Sequence, residues 1–392
     1  MVEVLLLVGF VVAAFVGYNI GGATTGPAFG PAVGSGVLSK AGAAALMSVF
    51  FFVGAGTLGQ RVVTTLGEDL VTGGSVFTLE TSIVVLFFIG GALFVGNFAG
   101  VPASTSMTAV GAIAGLGLAT GTLDRAVMGE IAIWWIVAPI IGFWVSGVVG
   151  RYLYPYLDRV FALQQSDGPL LVLDRSGGIP RPRFGPGTTR REFVSTVVVF
   201  LIACYMSFSA GASNVANAVA PLVGGGLVGI NLAVVLGSAT IGLGAFTIAR
   251  RTMESVGNDL TDLPLLAATV VMVVAASITT FASWLGIPIS LALSTVMTIV
   301  GLGWGRATRT ATAAELARGK IETDVSVSAV TVETDESVPA IGEEQPEDFQ
   351  HASELFDPGA VVRVISFWII GPSVATGLSY LAFVTLPVAG TA

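Results

Sequence analysis

The chain has 392 residues, 54% of them hydrophobic and only 11% charged, with a formal net charge of −8. So few charges cannot clothe a water-soluble surface, and an acidic balance speaks against nucleic acid as a partner. The expected solvent is the lipid bilayer, and a single cysteine, Cys204, excludes an internal disulfide.

Taken in chain order, the first apolar run, 3–16, has no basic flank and is expected to remain as a span rather than be cleaved. The run Gly17-Tyr18-Asn19-Ile20-Gly21-Gly22-Ala23 follows and is expected to break the helix. Residues 22–38, short and rich in Gly and Pro, then read as a re-entrant hairpin. Spans follow near 41–59, 79–98, 102–120 and 128–150, long enough for a bilayer core. The second half gives spans near 193–210, 226–248, 262–285, 288–304 and 361–388, with a second hairpin expected over 212–224.

The two halves repeat each other. Arg61-Val-Val-Thr-Thr-Leu-Gly67-Glu-Asp69-Leu70 returns as Arg251-Thr-Met-Glu-Ser-Val-Gly257-Asn-Asp259-Leu260, and Trp135-Ile-Val-Ala-Pro139 returns as Trp368-Ile-Ile-Gly-Pro372. The Gly-rich run at 17–23 has its counterpart in Gly211-Ala212-Ser213-Asn214-Val215-Ala216-Asn217-Ala218. Pro102-Ala103-Ser104-Thr105-Ser106 has its counterpart in Pro288-Ile289-Ser290. Duplication with matching breaks in so apolar a chain is the mark of a secondary transporter. The expected fold class is an all-α polytopic membrane protein built from two inverted repeats of five spans each, with re-entrant or broken helices.

Charge gives an orientation. With the N-terminus outside and five spans per half, only Arg61 and Arg125 of the 17 basic residues fall outside. That bias obeys the positive-inside rule and predicts both termini outside a cell membrane crossed many times. The expected layout is a first membrane repeat over 1–150, a cytoplasmic linker over 151–192, and a second repeat over 193–305 and 361–392. The remaining stretch, 306–360, is an acidic cytoplasmic insert. Its part 321–358 holds 11 acidic residues, too polar to fold compactly, and is expected to be partly disordered.

The breaks supply the chemistry. A helix N-terminus at membrane depth offers N–H donors and positive partial charge to an anion. Asn19, Thr24, Thr25, Ser104, Thr105 and Ser106 in the first half add neutral polar groups, as do Ser213, Asn214, Asn217 and Ser290 in the second. With no carboxylate among them, this set favours a small oxyanion over a cation. The lone His351 lies in the acidic insert, and no Ser–His arrangement, His/Cys cluster or nucleotide loop is present, so an enzyme is not expected. No cofactor is expected, and the metal question stays open. A transport-inactive sensor or partner subunit remains an alternative class, and a homo-oligomer is an open expectation.

At these residues the chain resembles the inorganic phosphate transporter family. That family carries a duplicated Gly-x-Asn-Asp-x-Ala-Asn-Ala signature, close to Gly211–Ala218, and a duplicated Pro-x-Ser-Thr-Thr-His element, close to Pro102–Ser106. The resemblance implies an inverted-repeat transporter of phosphate, coupled to sodium or protons, with some relatives moving sulfate. The departures bear on mechanism. The two Asn-Asp pairs stand here as Asn19-Ile20 and Ser213-Asn214, so both signature aspartates are missing, and the second Pro/Ser element keeps only Pro288 and Ser290. Sodium coupling is thereby put in question. Sulfate, which carries no proton, would suit a site made only of donors, while Asn, Ser or carbonyl oxygens could still accept a proton from phosphate.

Overall fold

The computed structural model describes residues 2–34, 38–72, 76–98, 104–161, 171–174, 181–248, 265–308 and 358–385. Pro102, Ala103, the second Arg element, nearly all of the acidic insert and His351 lie outside the described residues.

The chain is helical almost throughout. The first half contains α1 (Val2–Gly34), α2 (Lys40–Gly56), α3 (Gly59–Thr64, running on through a π turn to Asp69), α4 (Leu79–Phe98), α5 (Thr105–Thr120) and α6 (Arg125–Val148). A second π turn, Val149–Leu153, carries α6 into α7 (Tyr154–Val160). The linker folds in part into an antiparallel hairpin, β1 (Leu171–Asp174) with β2 (Arg181–Phe184), in register Leu171↔Phe184. Then come α8 (Arg190–Gly224), α9 (Ile230–Thr247), α10 (Leu265–Trp284), α11 (Leu291–Ala307) and α12 (Pro358–Thr385). Thr189 and Glu192 cap α8 reciprocally, each side chain accepting from the other's backbone N–H, which fixes where the second half enters.

Among the described residues, 7 helices are long and apolar enough to cross a membrane, or 8 if the bent pair α2–α3 counts as one span. Their outward faces carry exposed apolar side chains such as Leu7, Phe94, Ile136, Leu243 and Ile370. That is the inverse of a soluble surface and marks a multi-pass membrane protein. Two of the ten expected spans are short: α5 has 16 residues and α11 has 17.

The expected helix breaks are not breaks. α1 runs straight through 17–23 and α8 through 211–218, so residues 22–34 and 212–224 of the two expected hairpins are instead the far halves of long helices. The span expected over 3–16 accordingly extends to Thr25. The glycines there serve close packing. Gly21 lies against the Ile241 carbonyl of α9, and Gly211 against the Phe51 carbonyl of α2. Small residues let helix backbones approach where lipid supplies no hydrophobic drive. The sharp bend lies elsewhere, 62° between α2 and α3.

Packing between the halves is reciprocal. α1 packs on α9 as α8 packs on α2, α4 on α1 as α10 on α8, and α5 on α12 as α11 on α6. The repeated Trp-x-x-x-Pro helices, α6 and α12, thus receive the short helix of the opposite half. Glycines make the contact in both places: Gly115 meets the Thr376 carbonyl, and Gly301 the Phe143 carbonyl. A bridge between Val71 and Leu123, with Asp124 N–H donating to the Leu70 carbonyl at 3.0 Å, joins the start of α4 to the end of α5. The α4–α5 pair therefore leaves from one end of the molecule and returns to it.

Candidate functional site

Both short helices begin in the same way. Ser104 holds extended backbone and accepts from the Met107 N–H at 3.3 Å, and Ser290 does the same for Leu293 at 3.2 Å. A serine cap satisfies one first-turn donor and leaves the others, with the positive end of the helix dipole, for a ligand. The segment before α11 is anchored by Trp135, whose indole N–H donates to the Pro288 carbonyl at 3.0 Å. From Arg125 to Trp135, α6 rises roughly 15 Å at about 1.5 Å per residue, half of a bilayer core of about 30 Å. Ser290 is therefore buried beside the apolar part of α6, well inside that helix rather than at its start.

One turn of α8 meets both helix starts. Thr105 Oγ1 donates to Asn214 Oδ1 at 2.6 Å. Asn217 Nδ2 donates to Ser106 Oγ and to Asn214 Oδ1, both at 3.2 Å. Ser213 Oγ donates to the Ile289 carbonyl at 3.0 Å, and Ser209 Oγ to the Ala276 carbonyl of α10 at 3.0 Å. All of these side chains are buried. Two amide atoms in the cluster, Asn214 Nδ2 and Asn217 Oδ1, are buried with no partner. Native interiors rarely leave such atoms unpaired, and a bound ligand is one thing that pairs them. The cluster holds donors, a helix N-terminus and no carboxylate, which is the chemistry of an oxyanion site.

Seven of the sequence-predicted residues are thus brought together: Thr105, Ser106, Ser213, Asn214 and Asn217 through direct bonds, with Ser104 and Ser290 as the two caps. Asn19, Thr24 and Thr25 are not among them. Thr24 donates to the Ile20 carbonyl and Thr25 to the Gly21 carbonyl, each within its own helix. Asn19 donates to the Phe15 carbonyl and accepts from Asn97 Nδ2 at 3.2 Å. With the helix unbroken, these groups find backbone partners in their own helix and are not bonded to the cluster. Repeat symmetry makes the difference plain. The positions matching Asn214 and Asn217 are Ile20 and Ala23 in α1, and those matching Thr105 and Ser106 are Leu291 and Ala292 in α11. In the sequence repeat, these four polar positions are matched by four apolar ones.

Two contributors are not evident in the sequence as site residues. Ser209 lies one helical turn before Ser213 and extends its polar stripe, a spacing that could have pointed to it. Trp135 stands out as a repeat marker, though nothing in its neighbourhood indicates that it holds the start of α11.

A cavity of about 360 Å³ lies away from this cluster, lined by Glu68, Asp69, Asp124 and Glu130 together with Leu285, Gly286 and Ile287. Its carboxylates have the wrong sign for an anion, so the buried amide cluster is the better candidate for one. Nearby, Arg61 turns to Trp284. Its guanidinium donates to the Trp284 carbonyl at 2.5 Å and lies 5.7 Å from that indole's centroid. Asp69 and Glu130 are exposed and Glu80 is half-buried in the first turn of α4.

Comparison with known proteins gives the family and the fold. The chain is 27% identical over 304 residues to a sulfate permease of Bacillus subtilis, covering 76% of this chain and 77% of that one. It is 28% identical over 396 residues to a provisionally named phosphate permease of Chlamydia trachomatis, covering 78% of this chain and 91% of that one. A solved structure, the sodium-dependent phosphate transporter, has the same fold with a TM-score of 0.67 at 17% identity, covering 98% of this chain and 100% of that one. The profile of the phosphate transporter family matches residues 20–379. The chain belongs to the phosphate transporter family, a family of membrane transporters and not of enzymes.

Proposed function

We propose that the protein is a secondary active transporter of inorganic phosphate, binding its substrate between the start of α5 and the 213–217 turn of α8. The observation that carries this reading is the buried amide–hydroxyl cluster, in which one half of the chain supplies Thr105 and Ser106 and the other supplies Asn214 and Asn217. A site shared between halves can be exposed to either side by a small movement of one half against the other. The test is uptake of labelled phosphate into proteoliposomes. Saturable uptake above protein-free vesicles is expected, and its absence would return the protein to the sensor or partner-subunit class.

The reciprocal packing supports two repeats, and the charge bias supports their inversion with both termini outside. In this layout 1–150 and 193–305 with 361–392 are the membrane repeats. Residues 151–192 and 306–360 face the cytoplasm. Cysteines introduced at Pro186 and His351 should then resist an impermeant thiol reagent in intact cells and react after lysis. Labelling of either in intact cells would remove the inverted arrangement.

Coupling is the remaining part. Ile20 cannot ligate a cation, and Asn214 brings a neutral oxygen without compensating charge, so sodium dependence should be weaker than in relatives that keep both aspartates. Replacing sodium by an inert cation should leave most phosphate uptake intact, with protons as the alternative driving ion. Uptake abolished without sodium and restored steeply by it would show that neutral oxygens suffice. Sulfate transport is a second reading, favoured by the Bacillus subtilis relative's name.

A further inference from the structure

We infer that Asn214 and Asn217 act as a pair that reads the protonation of the bound oxyanion and thereby selects a protonated one, monohydrogen phosphate, over sulfate. The inference rests on the transport site proposed above. Its starting point is the pair of unpartnered buried atoms, one amide nitrogen and one amide oxygen. Asn214 is 1% exposed and Asn217 is fully buried, so water does not freely serve either.

The stoichiometry follows from the bonds. Asn217 Nδ2 donates to Asn214 Oδ1, so the two inner amide atoms are one donor and one acceptor. The two outer atoms must then also be one donor and one acceptor. Thr105 and Ser106 tolerate either arrangement, because a hydroxyl can donate or accept. If both amides turn over together, Asn214 offers the acceptor and Asn217 the donor. The pair still offers one of each.

An oxyanion bound here meets donors from the α5 N-terminus and from the hydroxyls, and it also meets this single acceptor. Monohydrogen phosphate presents P–O⁻ oxygens to the donors and one P–OH to the acceptor. Sulfate of the same shape and charge has only acceptor oxygens, so one of them must face the amide oxygen with no hydrogen between them. A site that uses a substrate O–H rejects an analogue lacking it because the buried partner is left unpaired. The apolar counterparts Ile20 and Ala23 offer no second amide pair that could relieve this mismatch.

The experiment is competition against labelled phosphate uptake by the full-length protein in proteoliposomes near pH 7.5, an assay condition at which phosphate and arsenate carry a proton while sulfate, selenate and molybdate do not. Arsenate should compete about as well as unlabelled phosphate. The other three should be weaker by about a hundredfold or more, in keeping with O–H-reading sites. A second arm uses Asn217→Leu, which keeps volume and removes the acceptor–donor pair. Phosphate uptake should weaken far more than sulfate uptake, so the phosphate-to-sulfate ratio falls toward unity. A merely structural role would lower both anions together. Should the variant fail to fold, the competition series on the natural protein decides alone. Sulfate or selenate competing as well as arsenate overturns the inference while leaving the transport reading intact. No uptake of either anion by the natural protein overturns both.

Discussion

Ser104→Ala/Thr105→Ala is expected to weaken the apparent affinity for phosphate at least tenfold, read from the concentration dependence of uptake. Both hydroxyls stand at the start of α5. Thr105 donates to Asn214 at 2.6 Å and Ser104 caps the helix. Removing Thr105's hydroxyl takes away the donor that holds the Asn214 amide in orientation, and with it the buried Asn214 Nδ2 that is free for the proposed anion. A hydrogen bond to a charged group contributes roughly 1.5–3 kcal/mol, so even one lost contact suffices for a tenfold change. The loss of the Ser104 cap adds about 1 kcal/mol of helix destabilisation, which would appear in thermal stability rather than affinity. Thr24→Ala/Thr25→Ala is the matched control. Those hydroxyls donate to carbonyls of their own helix, and affinity should stay within about twofold, since such bonds have a small net effect. Equal effects of the two double variants would move the site to α1.

Much of the architecture is legible in the sequence because lipid imposes a length and polarity rule that each span must satisfy. All ten expected spans contain a helix. Ser104 and Ser290 stand at helix starts because each follows a proline by two residues and opens an apolar run. The part of the site on α5 and α8 is legible for the same reason: Thr105, Ser106, Asn214 and Asn217 are polar groups in stretches with no other use for polarity. The glycine runs mislead because glycine has two meanings in a membrane. It permits unusual backbone angles, and it permits close approach of an ordinary helix. Sequence spacing alone does not separate these at Gly17 and Gly21, which sit one turn apart on one face and pack on α9. Once the helix is continuous, Thr24 and Thr25 bond backward along it and not to the α5–α8 cluster. The bend between α2 and α3 is equally hidden, because Thr57 and Leu58 carry no breaker of their own.

The same glycines give the other large expected effect. Gly211→Val should abolish recovery of monodisperse protein, and Gly211→Ala should lower its melting temperature in detergent markedly. A Cβ at 211 would fall on the Phe51 carbonyl, 2.7 Å from its carbon and 2.8 Å from Phe51 Cα. These are backbone atoms of α2, so no side chain can rotate out of the way. The crossing is tight from both sides, for a Cβ on Gly54 would stand 2.8 Å from the Phe208 carbonyl carbon of α8. Relief requires the helices to separate, and α8 cannot move without dragging Ser213, Asn214 and Asn217 away from Ile289, Thr105 and Ser106. Overpacking of this kind costs typically about 1–3 kcal/mol and more when backbone must shift, against a total stability of only about 5–15 kcal/mol. Gly91→Ala is the contrasting case. Nothing lies within 4 Å of a Cβ there, so alanine should be neutral or stabilising by up to about 1 kcal/mol through helix propensity. A Gly211→Ala protein as stable as Gly91→Ala would mean that α2 and α8 do not cross at this glycine, and the site built across that crossing would lose its support.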